Sequence, residues 1–188
     1  MSKSNGIISG KLRGALGKEL VFREWEGKTV VAKAPGTRKG EPTNAQVQIQ
    51  EKFLLASKYA KSILQNQDPG MKEAYAAALR PRQNIYSRAL EDFLSPPKIK
   101  SISTSAYDGT VGTKITVRAV DDFRVASVSV EIHAANGTSL EKGNAEASPN
   151  GIDWIYTATQ ANNPRTGSKI IVIARDVPGN EGTSQVEL

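Results

Sequence analysis

The chain of 188 residues has no cysteine, one histidine, two methionines and 6% aromatic residues. Without cysteine there is no disulfide, no thiol nucleophile and no thiolate metal site. A single imidazole, His133, excludes a zinc site built on two or more histidines. His133 lies on a strand pattern with no Ser-plus-Asp arrangement beside it, so a hydrolytic triad has no foundation there. The acids fall in turns or at exposed alternating positions, poor ground for the raised pKa of a general acid. The chain is expected not to be an enzyme, and no small-molecule substrate is inferred.

Long hydrophobic runs are missing too. No stretch nears the roughly 18 apolar residues of a membrane span, and none near the start has signal-peptide character, which favours the cytoplasm. Residues 6–17 hold four glycines but no phosphate loop, because Gly17-Lys18 is followed by Glu19 rather than Ser or Thr. Gly10-x-x-x-Gly14 has a helix-packing spacing without the apolar helix that motif needs. The segment reads as a conformationally permissive arm.

What is present is a change of character at Ser95-Pro96-Pro97. Up to residue 98 there are 17 Lys/Arg against 9 Asp/Glu, and after it 8 against 10. The expected fold class is α+β, an N-terminal β-hairpin with about three helices followed by an all-β immunoglobulin-like sandwich. The domains are placed at 1–95 (basic hairpin-plus-helices module), 96–98 (Pro-Pro linker) and 99–188 (sandwich).

In the first half, Leu20–Trp25 and Lys28–Lys33 flank Glu26-Gly27, a hairpin pattern. Such a ribbon is marginal alone and must pack on something. Phe22, Trp25 and Val30 are its candidate assembly contacts. Thr43-x-x-Gln46 reads as a capping box opening a helix over 44–66. Its expected core stripe is Ile49, Phe53, Ala56, Ala60 and Ile63. Further helices are expected over 71–79 and 82–94, the last with Ile85, Ala89 and Phe93 on one stripe and Tyr86, Leu90 and Leu94 beside it. Lys11, Arg13, Lys18, Arg38 and Lys39 are the candidates for nucleic-acid contacts, which need several cations on one face. They are scattered among acids and small residues, so an ordinary solvated surface competes with that reading.

Ile8-Ser9-Gly10-Lys11-Leu12-Arg13-Gly14, Val21-Phe22, Gly27-Lys28-Thr29-Val30-Val31, Ala34-Pro35 and Pro42-Thr43-x-x-Gln46 with Lys52-Phe53 carry a resemblance. Over about residues 6–95 the chain resembles a family of small uncharacterised proteins from Bacteroidetes bacteria, with a Gly-rich start, a hairpin and a T-x-x-Q…F helix. The shared residues are turn glycines, a cap and an aromatic anchor. The resemblance implies a structure and no activity.

From residue 98 the period is two. Strands are expected over 98–104, 114–120, 127–133, 139–146, 151–158, 168–175 and 183–188, the spacing of a β-sandwich. Alternation points Ile115, Val117, Val128, Val130, Ile132, Trp154, Tyr156, Ile171 and Ile173 inward. Val117–Val125 and Ala174-Arg175-Asp176-Val177-Pro178-Gly179-Asn180 resemble bacterial immunoglobulin-like and fibronectin-like domains, in which a core aromatic stands where Trp154 does.

In that topology the loops with Asp121-Asp122 and Asp176…Asn180 emerge at one end and Asp108 at the other. Asp121, Asp122, Asp176 and Asn180 are therefore candidate calcium ligands, against the alternative that turn acids bond their own backbone. No other cofactor is expected. The leading functional expectation is a structural or protein-interaction role, with a protein partner or self-assembly. Nucleic-acid binding through the basic half is the alternative. A carbohydrate-binding sandwich is the third, and it would need Trp154 or Tyr156 exposed.

Overall fold

Among the described residues four short strands open the chain: β1 (Ser2–Ser4), β2 (Gly14–Leu16), β3 (Leu20–Trp25) and β4 (Lys28–Lys33). The structure, a computed structural model, describes residues 2–4, 13–36, 40–65 and 67–188. Glu26 and Gly27 join β3 to β4 with φ of 53° and 74°, the left-handed pair that a type I′ turn demands. The expected hairpin is therefore present, and β1 and β2 widen it into an antiparallel sheet of order β1-β4-β3-β2.

Three helices follow: α1 (Asn44–Leu64), α2 (Pro69–Ala77) and α3 (Ile85–Leu94). Asp68 caps α2 by accepting from the Met71 amide at 3.0 Å, and Pro69 fits the first turn, where its missing N–H is no loss. The Asp-Pro-Gly breaker thus both ends one helix and starts the next. Asn84 caps α3 in a reciprocal box with Ser87. Arg82, with φ of 67°, lies in the turn ahead of that cap, so α3 begins three residues later than expected.

The strands of the second half are β5 (Lys98–Ser103), β6 (Lys114–Val120), β7 (Val125–His133), β8 (Ser139–Asn144), β9 (Glu146–Ala147), β10 (Asp153–Thr157), β11 (Lys169–Asp176) and β12 (Glu181–Glu187). They form two antiparallel sheets, β5-β6-β10-β9 and β12-β11-β7-β8. This is the immunoglobulin-like arrangement. Between the sheets lie Ile115, Val117, Val128, Val130, Ile132, Tyr156, Ile170 and Val172.

On β11 the inward residues are Ile170, Val172 and Ala174, not Ile171 and Ile173 as expected. The run Ile170-Ile171-Val172-Ile173 is apolar on both faces, so alternation alone does not choose between them. Trp154 is half-buried and packs at the margin of the core, while Tyr156 on the same face is buried. The Tyr156 hydroxyl donates to Glu141 Oε2 at 2.9 Å. Burial first, and that bond second, push the phenol up to about 12.

The chain divides into two compact units, Met1–Thr43 and Asn44–Leu188. The Ser95-Pro96-Pro97 seam expected between domains therefore lies inside the second unit. Helix α3 ends at Leu94, and the chain passes through that seam directly into β5 at Lys98. Pro97 is buried, and β12 closes on it so tightly that a Cβ added at Gly182 would stand 2.0 Å from the Pro97 carbonyl oxygen. Replacing Gly182 with Ala is expected to cost about 2 kcal/mol through this backbone clash, read as a lower urea midpoint at unchanged m-value.

Candidate interaction surface

In the N-terminal sheet, the β3–β4 register sets Phe22 opposite Val31, Arg23 opposite Val30 and Trp25 opposite Lys28. Side chains alternate along a strand, so Trp25 and Val30 share one face and Phe22 lies on the other. The three candidate contacts do not form one patch. Phe22 instead keeps company with Leu16, Leu20 and Val31 by register. Leu16 is 62% exposed and Trp25 71%. Among residues 13–36 and 40–43 only Thr29 is buried, so the described part of the sheet carries apolar side chains on both faces with little of them covered. Leu16 escaped the sequence reading because it lies in the glycine-rich segment read as an arm, while Leu20 was placed in the hairpin strand but not among its contacts.

Of the five cations proposed for nucleic acid, Lys11, Arg38 and Lys39 lie outside the described residues. Lys18 is exposed in the β2–β3 turn. Arg13 donates from both Nε and Nη2 to Glu24 Oε2, so its charge is already matched.

A second apolar surface belongs to α1. Its expected stripe is covered only in part: Ala56, Ala60 and Ile63 are buried, while Ile49 is 69% and Phe53 52% exposed. The reason is length. Helix α1 has 21 residues and its main neighbour α3 has 10, about 31 Å against about 15 Å at 1.5 Å per residue. The first turns of α1 outrun their cover, and Leu54 and Leu55 are exposed with them. Periodicity revealed the apolar side, not how much of it a neighbour would reach.

The candidate calcium ligands serve the fold. Asp121 Oδ2 accepts from the Phe123 and Arg124 amides, both at 3.1 Å. Asp122 pairs with Arg80 at 3.3 Å. Asp176 Oδ1 accepts from the Gly179 and Asn180 amides at 2.8 and 2.6 Å, and its Oδ2 from Asn180 Nδ2 at 2.7 Å. Burial raises the Asp176 pKa against these bonds. Asn180 Nδ2 also donates to the Phe93 carbonyl at the end of α3, at 3.0 Å. All four stand at one end of the sandwich, in the β6–β7 and β11–β12 turns, but Asp121 and Asp176 bond amides of their own turns and Asn180 reaches α3. Among the described residues no group of three or more His, Cys, Asp or Glu could hold a metal ion.

His133 stands on the sheet surface, 3.0 Å from Glu131, which also meets Lys142 at 3.3 Å. Tyr156, spent on Glu141 inside the sandwich, offers no sugar platform. Trp154 lines a groove of about 260 Å³ with Phe123 and Ile152, and part of its ring is given to the core margin.

Comparison with known proteins adds little. No protein-family pattern and no curated protein sequence matches the chain. Among solved structures, CopC from Methylosinus trichosporium OB3b is 15% identical over 48% of this chain and 89% of its own, with a TM-score of 0.35. An engineered protein is 21% identical over 53% of this chain and 22% of its own, with a TM-score of 0.34. Neither likeness carries an argument about function.

Replacing Asn180 with Ala removes the bridge from the Asp176 turn to α3. The expected loss is about 1–2 kcal/mol in urea unfolding. Asn136→Ala, in a turn where the side chain accepts only from the Thr138 amide, is expected to cost less than half of that.

Proposed function

We propose that the protein is a non-enzymatic interaction or structural protein that engages another protein chain, its own or a different one, through its N-terminal sheet and the leading turns of α1. The observation that supports this reading is the N-terminal sheet, which exposes Leu16, Leu20 and Trp25 and, among residues 13–36, buries only Thr29. A small sheet with so little of its apolar surface covered gains stability from a partner. Exposed aromatic and aliphatic anchors of this kind are where binding energy concentrates. On this reading the sandwich is a rigid mount for α1. Nucleic-acid binding through the basic half is the alternative reading; of its candidate cations Arg13 is paired with Glu24 and Lys18 is exposed.

A photoreactive aromatic residue placed at Trp25, and separately at Phe53, tests the proposal in the producing cell. Adducts to protein chains are expected from both positions. Val30→Ser, on the same face as Trp25, is expected to cut the Trp25 adduct about tenfold, the loss of about 1.4 kcal/mol of contact. Adducts to nucleic acid, or no adduct at either position, would contradict the reading.

A further inference from the structure

Two turns of the sandwich carry the same pair of residues on a similar backbone and hold it differently. Among the described residues, asparagine is followed by glycine at Asn136-Gly137, between β7 and β8, and at Asn150-Gly151, between β9 and β10. All four residues are exposed. Both glycines have a left-handed backbone, with φ of 85° and 73°. Both glycine amides donate to the carbonyl three residues back, Gly137 to Ala134 at 2.8 Å and Gly151 to Ser148 at 3.0 Å.

This pair is open to a reaction that needs only water. The backbone nitrogen that follows an asparagine attacks the side-chain amide carbon, and glycine, lacking a Cβ, shields that nitrogen least. The new C–N bond closes a five-membered succinimide. The Nδ2 group takes up the proton lost from the glycine nitrogen and leaves as ammonia. Water then opens the ring at one carbonyl or the other, giving aspartate or isoaspartate. One water is consumed and one ammonia released.

The two sites differ in the freedom of the side chain that must turn to meet the nitrogen. Asn150 is held at both ends. Its Oδ1 accepts from the Ile152 and Asp153 amides at 3.1 and 2.9 Å, and its Nδ2 donates to Asp153 Oδ2 at 2.6 Å. Asp153 is anchored in turn by the Arg118 guanidinium at 2.8 and 3.0 Å. Asn136 has a single bond, Oδ1 accepting from the Thr138 amide at 3.0 Å. Its Nδ2, the group that leaves, is held by nothing.

We propose that Asn136 is a spontaneous deamidation site of the folded protein, and that the grip of Asp153 and its neighbouring amides on Asn150 protects the second, identical pair.

The modification acts on a closed turn. The Ala134 amide donates to the Thr138 carbonyl at 2.8 Å, and His133 Nδ1 lies 3.2 Å from the Gly137 carbonyl. Aspartate at 136 adds a negative charge beside the cluster of Glu131, His133 and Lys142. Isoaspartate puts an extra methylene into the main chain, where β8 is an edge strand paired to β7 alone.

Incubation of the full chain in oxygen-18 water at about pH 8 and 37 °C tests this. Trypsin places the two asparagines in separate peptides, 125–142 and 143–165, and fragmentation locates the heavy oxygen within each. Asn136 is expected to convert at least about tenfold faster than Asn150, which has two further bonds to break. In concentrated guanidinium chloride both side chains are released, and the two rates are expected to agree within about threefold. Asp153→Ala removes the acceptor at Nδ2 and is expected to speed Asn150 at least about threefold, with Asn136 unchanged. Equal rates in the folded chain, or Asn150 the faster, would overturn the proposal. So would an Asn150 that lags as far behind in guanidinium, which would put the difference in the flanking sequence. An unchanged Asn150 rate in folded Asp153→Ala overturns the protection; if that variant does not fold, the comparison of folded and unfolded rates decides.

Discussion

The layout of residues 44–188 depends on Phe123, an aromatic residue in the turn between two sandwich strands that belongs by packing to the helices. Its ring lies 4.3 Å from that of Tyr75 at 22°, stacked on α2. It completes the small helical cluster of Ala60, Ile63, Tyr75 and Ala89. The guanidinium of Arg88 stands 5.8 Å from the ring centroid and bonds the carbonyl of the preceding Asp122. Three helices with so few large buried side chains are a weak core by themselves. The turn of the sandwich supplies what they lack, and the Asn180 bond to the end of α3 fixes the angle from the other side. Polar bonds give this joint direction, while the stacked rings give it area.

This explains why the Pro-Pro seam does not separate two bodies. Prolines favour an extended link, and Ser95 is extended, with φ −110° and ψ 97°. The link is nevertheless too short to free α3 from the strand that follows it, because β5 begins at Lys98. The separation in contacts comes earlier, after the loop that ends at Thr43. The jump in charge at residue 98 describes the surface, not the packing.

The sequence made parts of the fold legible for a definite reason. In Lys114–Val120 and Val125–His133 one face is wet and the other dry, so alternation identified Ile115, Val117, Val128, Val130 and Ile132 as core. In β11 both faces are apolar and the same rule pointed the wrong way. Glu26-Gly27 announced its turn because few other pairs accept that backbone. The apolar surface of the candidate site was half visible. Trp25 and Phe22 were seen, but their opposite faces follow from register, and the exposure of Ile49 and Phe53 follows from the length of a neighbour. Arg88 and Asp92, both buried on α3, were invisible as joint residues. Charged residues on a helix normally face water, and only the sandwich turn, more than 30 residues further on in sequence, makes their side an interior.

Native-state hydrogen exchange over residues 44–188 tests the central claim most directly. If the helices and the sandwich form one cooperative unit, the slowest amides of α3 exchange with the same free energy and denaturant dependence as those of β7 and β11. Exchange of α1–α3 through a separate opening of much lower free energy, with the β7 and β11 amides still fully protected, would contradict it and restore the seam at Ser95-Pro96-Pro97 as a true domain boundary.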